Sequence, residues 1–138
     1  YIYNGAGYGV VVNYSIVGRN LLKEGSESMF DTKLEDDLSS ILDTLQASCG
    51  IANNRTASKA RVNIGTGTWV GDKITWSNLG ILNPDQSVQK TFSVDYSGCT
   101  NGTEFNNKAD LSAINSPVVS TNHKAIMGLN INPTGTFA

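Results

Sequence analysis

Apolar residues alternate with polar ones along several stretches of this chain. The longest stretch, Gly7–Asn20, places two sets of side chains on opposite faces. The first set is Val10, Val12, Tyr14 and Ile16, and the second is Val11, Asn13, Ser15 and Val17. A period of two residues is typical of a half-buried β-strand, so we predict a strand here.

A second pattern flanks the turn sequence NPD at positions 83–85. Proline fixes φ at the second position of a turn, and Asn and Asp side chains bond nearby backbone groups. The flanking segments, Ile74–Leu82 and Val88–Tyr96, supply bulky groups for a core: Trp76, Phe92, Val94 and Tyr96. We predict that they form a β-hairpin. Such a hairpin is stable only when an opposite sheet covers it.

The remaining segments fit short strands separated by turns. The further predicted strands are Met29–Leu34, Lys59–Ile64, Phe105–Ile114 and Lys124–Ile131. Loops or connectors are predicted at Leu21–Ser28, Gly50–Ser58 and Val118–His123. Residues 38–48 are ambiguous because their leucines and isoleucine fit helical spacing, and we predict a helical turn followed by a strand that ends near Cys49. Regularly spaced short strands predict an all-β fold, a β-sandwich.

Composition narrows the functional classes. The net charge is −2, and no run of Lys and Arg occurs, so nucleic-acid binding has no basic face to support it. No apolar run approaches the ~20 residues of a membrane helix, so we expect no membrane insertion. The chain begins at Tyr1, which we interpret as a mature form whose targeting segment has been removed.

The two cysteines, Cys49 and Cys99, each lie beside a predicted loop. They make a poor zinc site because zinc needs four ligands and no further Cys or His stands nearby. We predict a disulfide, which implies an oxidising, extracellular setting. The alternative is two buried free thiols, which would say nothing about compartment.

Four stretches match one known pattern. VVVNYSIVGRN is similar to a V-T-Y-T-I-x-V-x-N strand, and MFDTKLEDDL loosely resembles a D-x-L-P strand end with Lys33 inserted and Glu35 in the place of Pro. ITWSNLGILNPDQSVQKTFSVDY resembles a Trp followed by G-x-L-x-P-G-x-S, with Asp85 in the place of the second Gly, and FNNKADLSA resembles an N-x-A-x-V strand. Together they resemble the Ig-like conserved repeat of unknown function in bacterial and archaeal surface proteins. The resemblance covers most of residues 7–114 and implies an Ig-like β-sandwich.

The chain departs from that repeat at both ends. The family's repeat begins with an extra strand, whereas only six residues precede Gly7 here. A spare alternating segment follows the closing strand, with apolar residues at Ala125, Met127, Leu129 and Ile131. We therefore divide the chain into a sandwich at residues 1–123 and a donor strand with its tail at residues 124–138.

A sandwich without its first strand leaves a groove that the spare strand of another copy can fill, as in donor-strand complementation. Such a contact is heterologous and propagates into a ring or a filament. We expect an Ig-like β-sandwich with an exchanged strand, whose partners are copies of itself in a helical homopolymer. The alternative is that Lys124–Ile131 folds back into its own sandwich.

Three sequons for N-glycosylation occur, at Asn13, Asn54 and Asn101. Asn132 is excluded because Pro133 follows it. A glycan needs an exposed Asn. The outward phase of Asn13 and the predicted loops at Asn54 and Asn101 satisfy that condition, so we expect covalent glycans at these positions.

Nothing in the sequence points to catalysis, a metal or a cofactor. His123 lies in a predicted polar connector, and no G-x-S-x-G, P-loop or paired metal-spaced His occurs. The acidic run Glu35-Asp36-Asp37 lacks the spacing of a calcium loop, and we predict a solvated acidic turn. Trp69 is a candidate for sugar stacking, although aromatic residues of a sandwich are usually in the core.

Our expectation from the sequence is a secreted structural subunit of a pilus-like or biofilm-related fibre. The alternative is a cell-surface adhesin or carbohydrate-binding module, which a row of exposed aromatic side chains beside a polar groove would favour. We do not expect an enzyme.

Overall fold

The computed structural model describes residues 2–3, 8–9, 11–20, 27–51, 54–100 and 102–126. In chain order the elements are β1 (Ile2–Tyr3), β2 (Tyr8–Gly9), β3 (Val11–Arg19), β4 (Lys33–Asp37), α1 (Ser39–Ser48), α2 (Arg55–Ala60), β5 (Val62–Asn63), β6 (Thr68–Val70), β7 (Lys73–Trp76), β8 (Ser87–Asp95), β9 (Glu104–Ala113) and β10 (Ser116–Ile126).

The strands form two main antiparallel sheets. A five-stranded sheet has the order β10-β9-β4-β7-β6, and a three-stranded sheet has the order β3-β8-β5. Strands β1 and β2 pair with each other as a separate ribbon. The described part of the chain is therefore mostly β, and the sandwich-like arrangement predicted from the sequence is confirmed at this level.

The core lies between the two sheets. The ring centroids of Trp76 and Phe92 are 6.4 Å apart, and those of Tyr96 and Phe105 are 4.0 Å apart, so each pair joins the five-stranded sheet to the other layer. Strand β3 presents Ile16 inward and leaves its odd-numbered side chains exposed, as the alternation predicts.

The predicted hairpin is wrong, because β7 and β8 lie in different sheets. The turn itself forms: the Gln86 N–H donates to the Asn83 carbonyl at 2.9 Å, and Asp85 has φ 68°. Leu82, however, pairs with Met29 in an isolated bridge. The segment between β7 and β8 that contains this bridge crosses from the five-stranded sheet to the three-stranded sheet. Both strands bury their bulky groups by facing each other across the core instead of lying side by side.

Two helices replace segments for which strand or loop was predicted. Helix α1 buries Ile41, Leu42 and Leu45 and continues to Ser48, so the strand predicted near Cys49 is wrong. Helix α2 begins inside the predicted loop Gly50–Ser58. The side chain of Asn54 caps it by accepting a hydrogen bond from the Ala57 N–H at 3.1 Å, which satisfies a backbone donor of the first turn.

Strand β10 occupies the predicted connector Val118–His123, and that prediction is also wrong. The strand pairs with β9 from Ser116, opposite Ala113, to Ile126, opposite Glu104. The register shifts between Ser116 and Val119, and Pro117 falls within that irregularity. Proline has no N–H to give to a ladder, so a bulge on an edge strand accommodates it.

Candidate functional site

A cleft of about 130 Å³ opens between β3 and the β9–β10 side of the five-stranded sheet. We call it the edge cleft. Most of its lining is apolar, and its charged and polar members are Arg19, Asp110, Ser120 and Thr121. Its apolar lining includes Ile16, Val17, Leu34, Ala109 and Leu111.

The edge cleft exists because β3 has an uncovered edge. All nine residues of β3 pair with β8 on one side, from Val11 opposite Asp95 to Arg19 opposite Ser87. Within the described residues no strand of the three-stranded sheet pairs with the other side of β3. The unpaired backbone groups of that edge border the apolar side chains of both sheets.

The sheets approach each other closely at one end of the edge cleft. A Cβ on Gly18 would stand only 3.0 Å from Leu111 Cδ1. A larger residue at position 18 would therefore push into the cleft lining. The absence of a side chain here leaves the cleft open along β3.

Strand registers define two ends of the sandwich. At the turn end, Arg19 lies opposite Ser87, Lys33 lies opposite Ser112, and the edge cleft opens nearby. At the disulfide end, Val11 lies opposite Asp95. Strand β10 also ends there, with Ile126 opposite Glu104. The chain thus leaves β10 at the end opposite the edge cleft.

The predicted disulfide is confirmed. Cys49 and Cys99 are bonded, with an S–S length of 2.03 Å and a sequence separation of 50 residues. The bond joins the C-terminus of α1 to the β8–β9 connection. The Thr100 N–H strengthens the same junction by donating to the Ser48 carbonyl at 2.9 Å.

The residues predicted for polymerisation are only partly described. Ala125 lies in β10, opposite Phe105 of its own chain. Met127, Leu129 and Ile131 lie outside the described residues. Strand β10 also runs without interruption across the predicted boundary between residues 123 and 124.

Two of the predicted sequons are described. Asn13 is exposed on the outward face of β3, and Asn54 is exposed at the N-terminus of α2. Capping uses the Oδ1 atom of Asn54, whereas a glycan would be joined to Nδ2. Asn101 lies outside the described residues.

The predicted solvated acidic turn is wrong. Glu35, Asp36 and Asp37 belong to β4, and Asp36 is completely buried. Asn107 Nδ2 donates to both carboxylate oxygens of Asp36 at 2.8 Å. Burial raises the pKa of Asp36 to about 7, although the hydrogen bond from Asn107 opposes the rise and the charges of Asp37 and Asp110 add to it. Asp36 therefore holds a proton more readily than an exposed acid.

Further polar groups face this pair from the other sheet. The Tyr14 and Tyr96 hydroxyls are hydrogen-bonded at 2.6 Å, and burial is the main cause that raises the pKa of both. Asp37, at the edge, differs: burial opposes its ionisation, but hydrogen bonds from Ser39 and the charges of Lys73 and Lys108 bring its pKa below the usual value. Burial thus disfavours ionisation inside this group of residues, and ionisation is favoured at its margin.

The alternation of β4 and β9 carries a sequence signal for this buried pair. In the alternation of β9, Asn107 has the same phase as Phe105, Ala109 and Leu111. Asp36 likewise has the phase of Leu34. A polar residue on an apolar face must find a partner, and two such residues on neighbouring strands are natural partners for each other.

The other candidates for binding chemistry gain no support from the geometry. The backbone of His123 lies in β10, opposite Asn107. Trp69 is half-buried, and Lys59 Nζ lies 4.9 Å from its ring centroid, so a cation covers one ring face. Across the described residues no three Asp, Glu, His or Cys side chains are grouped to hold a metal ion. None of the helices there has the length and apolar character needed to cross a membrane.

Comparison with known proteins found no matching family model, no similar curated protein and no similar solved structure.

Proposed function

We propose that this chain is the subunit of an extracellular filament in which each Ig-like sandwich receives a β-strand from the next copy. The observation that carries the proposal is the uncovered edge of β3 beside the edge cleft. An added strand would satisfy the backbone groups of that edge and pack against the lining of the edge cleft.

The other edges of the two sheets are poorer acceptors. Strands β5 and β6 contain only two and three residues, which gives a donated strand little to pair with. Strand β10 is long, but it carries Pro117 and a register shift, both of which blunt an edge. Strand β3 combines nine residues with an apolar cleft beside it.

The donor in this proposal is the C-terminal segment of a neighbouring copy, with Ala125 at its exit from β10 and Met127, Leu129 and Ile131 as the residues that fill the edge cleft. If a neighbour stacks its disulfide end on the turn end of this copy, its residues 127–138 enter the cleft from the turn end. They then run antiparallel to β3, like every described strand pair. Extended at about 3.3 Å per residue, they reach roughly 40 Å, more than the length of β3.

Donation within one chain has a different geometry. Residues 127–138 leave β10 at the disulfide end, so in their own cleft they would run parallel to β3. A parallel pair is slightly less stable per residue than an antiparallel one. Exchange between copies gives the antiparallel arrangement that every described strand pair has.

The extracellular setting in the proposal is supported by the disulfide, because such bonds persist in oxidising compartments. The exposed positions of Asn13 and Asn54 support covalent glycans. Peptide mass spectrometry of the native protein tests this part. Unmodified Asn13 and Asn54 would remove glycans from the proposal and leave the strand exchange untouched.

The alternative of an adhesin or carbohydrate-binding module has less support. Among the aromatic side chains whose burial is described, only Phe30 is exposed. Sugar-binding platforms use exposed aromatic rings with polar groups around them. The described surface offers no row of such rings.

The decisive experiment removes the donor. We expect the full-length chain to form filaments in negative-stain electron microscopy and the chain lacking residues 127–138 to remain monomeric. A synthetic peptide of residues 124–138 should bind the shortened chain and protect its β3 amides from hydrogen exchange. Filaments formed by the shortened chain would refute strand donation by the C-terminus.

A point substitution gives an independent test at the acceptor. Gly18→Val places methyl groups against Leu111 and should reduce filament formation at least about tenfold. Thr91→Val is the matched control, because Thr91 is exposed on the outward face of β8. Urea unfolding of both variants shows whether the sandwich remains folded.

A further inference from the structure

Three exposed apolar side chains lie together at the turn end. Their relative exposures are 44% for Phe30, 57% for Ile81 and 76% for Ile114. The Ile114 N–H donates to the Phe30 carbonyl at 3.1 Å, so these two residues are neighbours. The Met29–Leu82 bridge and the bond from the Thr32 N–H to the Gly80 carbonyl place Phe30 beside Ile81 in the same way. We call these three residues the apical patch.

The apical patch has a fixed backbone. Asn115 Oδ1 accepts a hydrogen bond from the Phe30 N–H at 3.0 Å, and Asn115 Nδ2 donates to the Ser28 carbonyl at 2.8 Å. The side chain of one residue thus ties the β9–β10 turn to the segment before β4. An apolar surface held in one conformation loses little entropy when a partner covers it.

The position of the apical patch indicates which surface of another copy covers it. The apical patch adjoins the strand ends where the edge cleft opens, because Ile114 follows directly on β9 and Phe30 lies beside it. Any copy that donates residues 127–138 into the cleft from the turn end must bring its own disulfide end over the turn end of the acceptor. The connection that bears Cys99, residues 96–103, contains no charged residue, while Asp95 and Glu104 flank it at the same end. Residues 96–103 can cover an apolar patch without burying a charge of their own.

We infer that the apical patch is the seat on which the disulfide end of the next copy rests, so that the filament joint consists of an end-to-end contact as well as the exchanged strand. This inference rests on the proposed strand exchange and adds a second contact to it. The contact would fix the angle between successive copies, which a single exchanged strand would not do by itself.

The test compares the critical concentration for polymerisation of full-length variants by light scattering. Ile114→Asp and Phe30→Asp should each raise it at least about tenfold, because a charge would be buried at the joint. Filaments that do form above that concentration should still show protected β3 amides, since the edge cleft is unaltered. Thr91→Asp adds the same charge to an exposed position on β8 and should leave the critical concentration unchanged.

The outcomes separate the two proposals. The critical concentrations of Ile114→Asp and Phe30→Asp could also stay within about twofold of that of the unaltered chain. That result would refute the end-to-end contact at the apical patch and leave strand exchange intact. If removal of residues 127–138 did not change polymerisation, strand exchange would be refuted. The apical contact as inferred here would be refuted with it, since it adds to that exchange.

Discussion

Asp36 occupies a fully buried position, and its pKa is raised from 3.8 to about 7 by burial. The folded state therefore binds its proton more tightly than the unfolded chain. The protonated acid stabilises the fold fully below about pH 4, and that contribution is lost as the pH rises through 7, by at most about 4 kcal/mol. Tyr14 and Tyr96, which face it, stay neutral over this range because their pKa values are raised.

We predict that Asp36→Asn removes this pH dependence. An Asn at position 36 keeps a hydrogen-bonding partner for Asn107 and has no proton to lose. Urea unfolding at pH 4 and pH 8, at concentrations where the chain is monomeric, should show falling stability for the unaltered chain and a flatter profile for the variant. Asp31→Asn is the control, since Asp31 is exposed and its φ of 50° suits Asn. An equal decrease in the unaltered chain and the Asp36→Asn variant would contradict the assignment.

At the level of single residues, the sequence predicted which side chains point inward but not what an inward polar residue does. The alternation of β4 and β9 already placed Asp36 and Asn107 on the apolar face. Their pairing depends on which strands are neighbours, and that information is not local. A run of three acidic residues favours a solvated turn in the sequence, because acids are rarely buried without a partner.

At the level of elements, the disulfide fastens α1 to the β8–β9 connection. Closing a loop of 50 residues restricts the unfolded chain, and the chain-entropy model gives a stabilisation of about 4 kcal/mol. We predict that the Cys49→Ala, Cys99→Ala double variant loses stability by about that amount in urea unfolding, and that reductant has no effect on it. A loss below about 1 kcal/mol would show that the junction is held by its backbone contacts, such as Thr100 to Ser48.

The elements also show why strand pairing was harder to predict than strand existence. The segments around β3, β8 and β9 have a clear period of two, and the structure has strands there. The partner of β7 is β4 on one side and β6 on the other, because the chain crosses between sheets before the turn at Pro84. A turn sequence gives the local reversal but not the sheet to which each arm belongs. Strand β10 was missed in part because its polar residues 120–124 lack the apolar alternation of a half-buried strand.

At the level of the whole molecule, the two main sheets have four uncovered strand edges among the described residues: those of β3, β5, β6 and β10. The proposed assembly uses the edge of β3 and leaves the others free. Two sandwiches that joined edge to edge through β5, β6 or β10 would instead cover one of those edges. Identifying which edge becomes covered in the filament therefore tests the proposal.

Hydrogen–deuterium exchange of filaments and monomers tests it directly. Alternate amides of β3 point away from β8, and in the monomer they should exchange quickly. In the filament a donated strand accepts their hydrogen bonds, so we predict that their exchange slows at least about a hundredfold, as for amides inside a sheet. The edge of β6 is the internal control, because Thr68–Val70 lies at the far side of the five-stranded sheet and should exchange equally in both states. Protection confined to β10 would mean that copies join through the outer strand of the five-stranded sheet, and the edge cleft would then have no part in assembly.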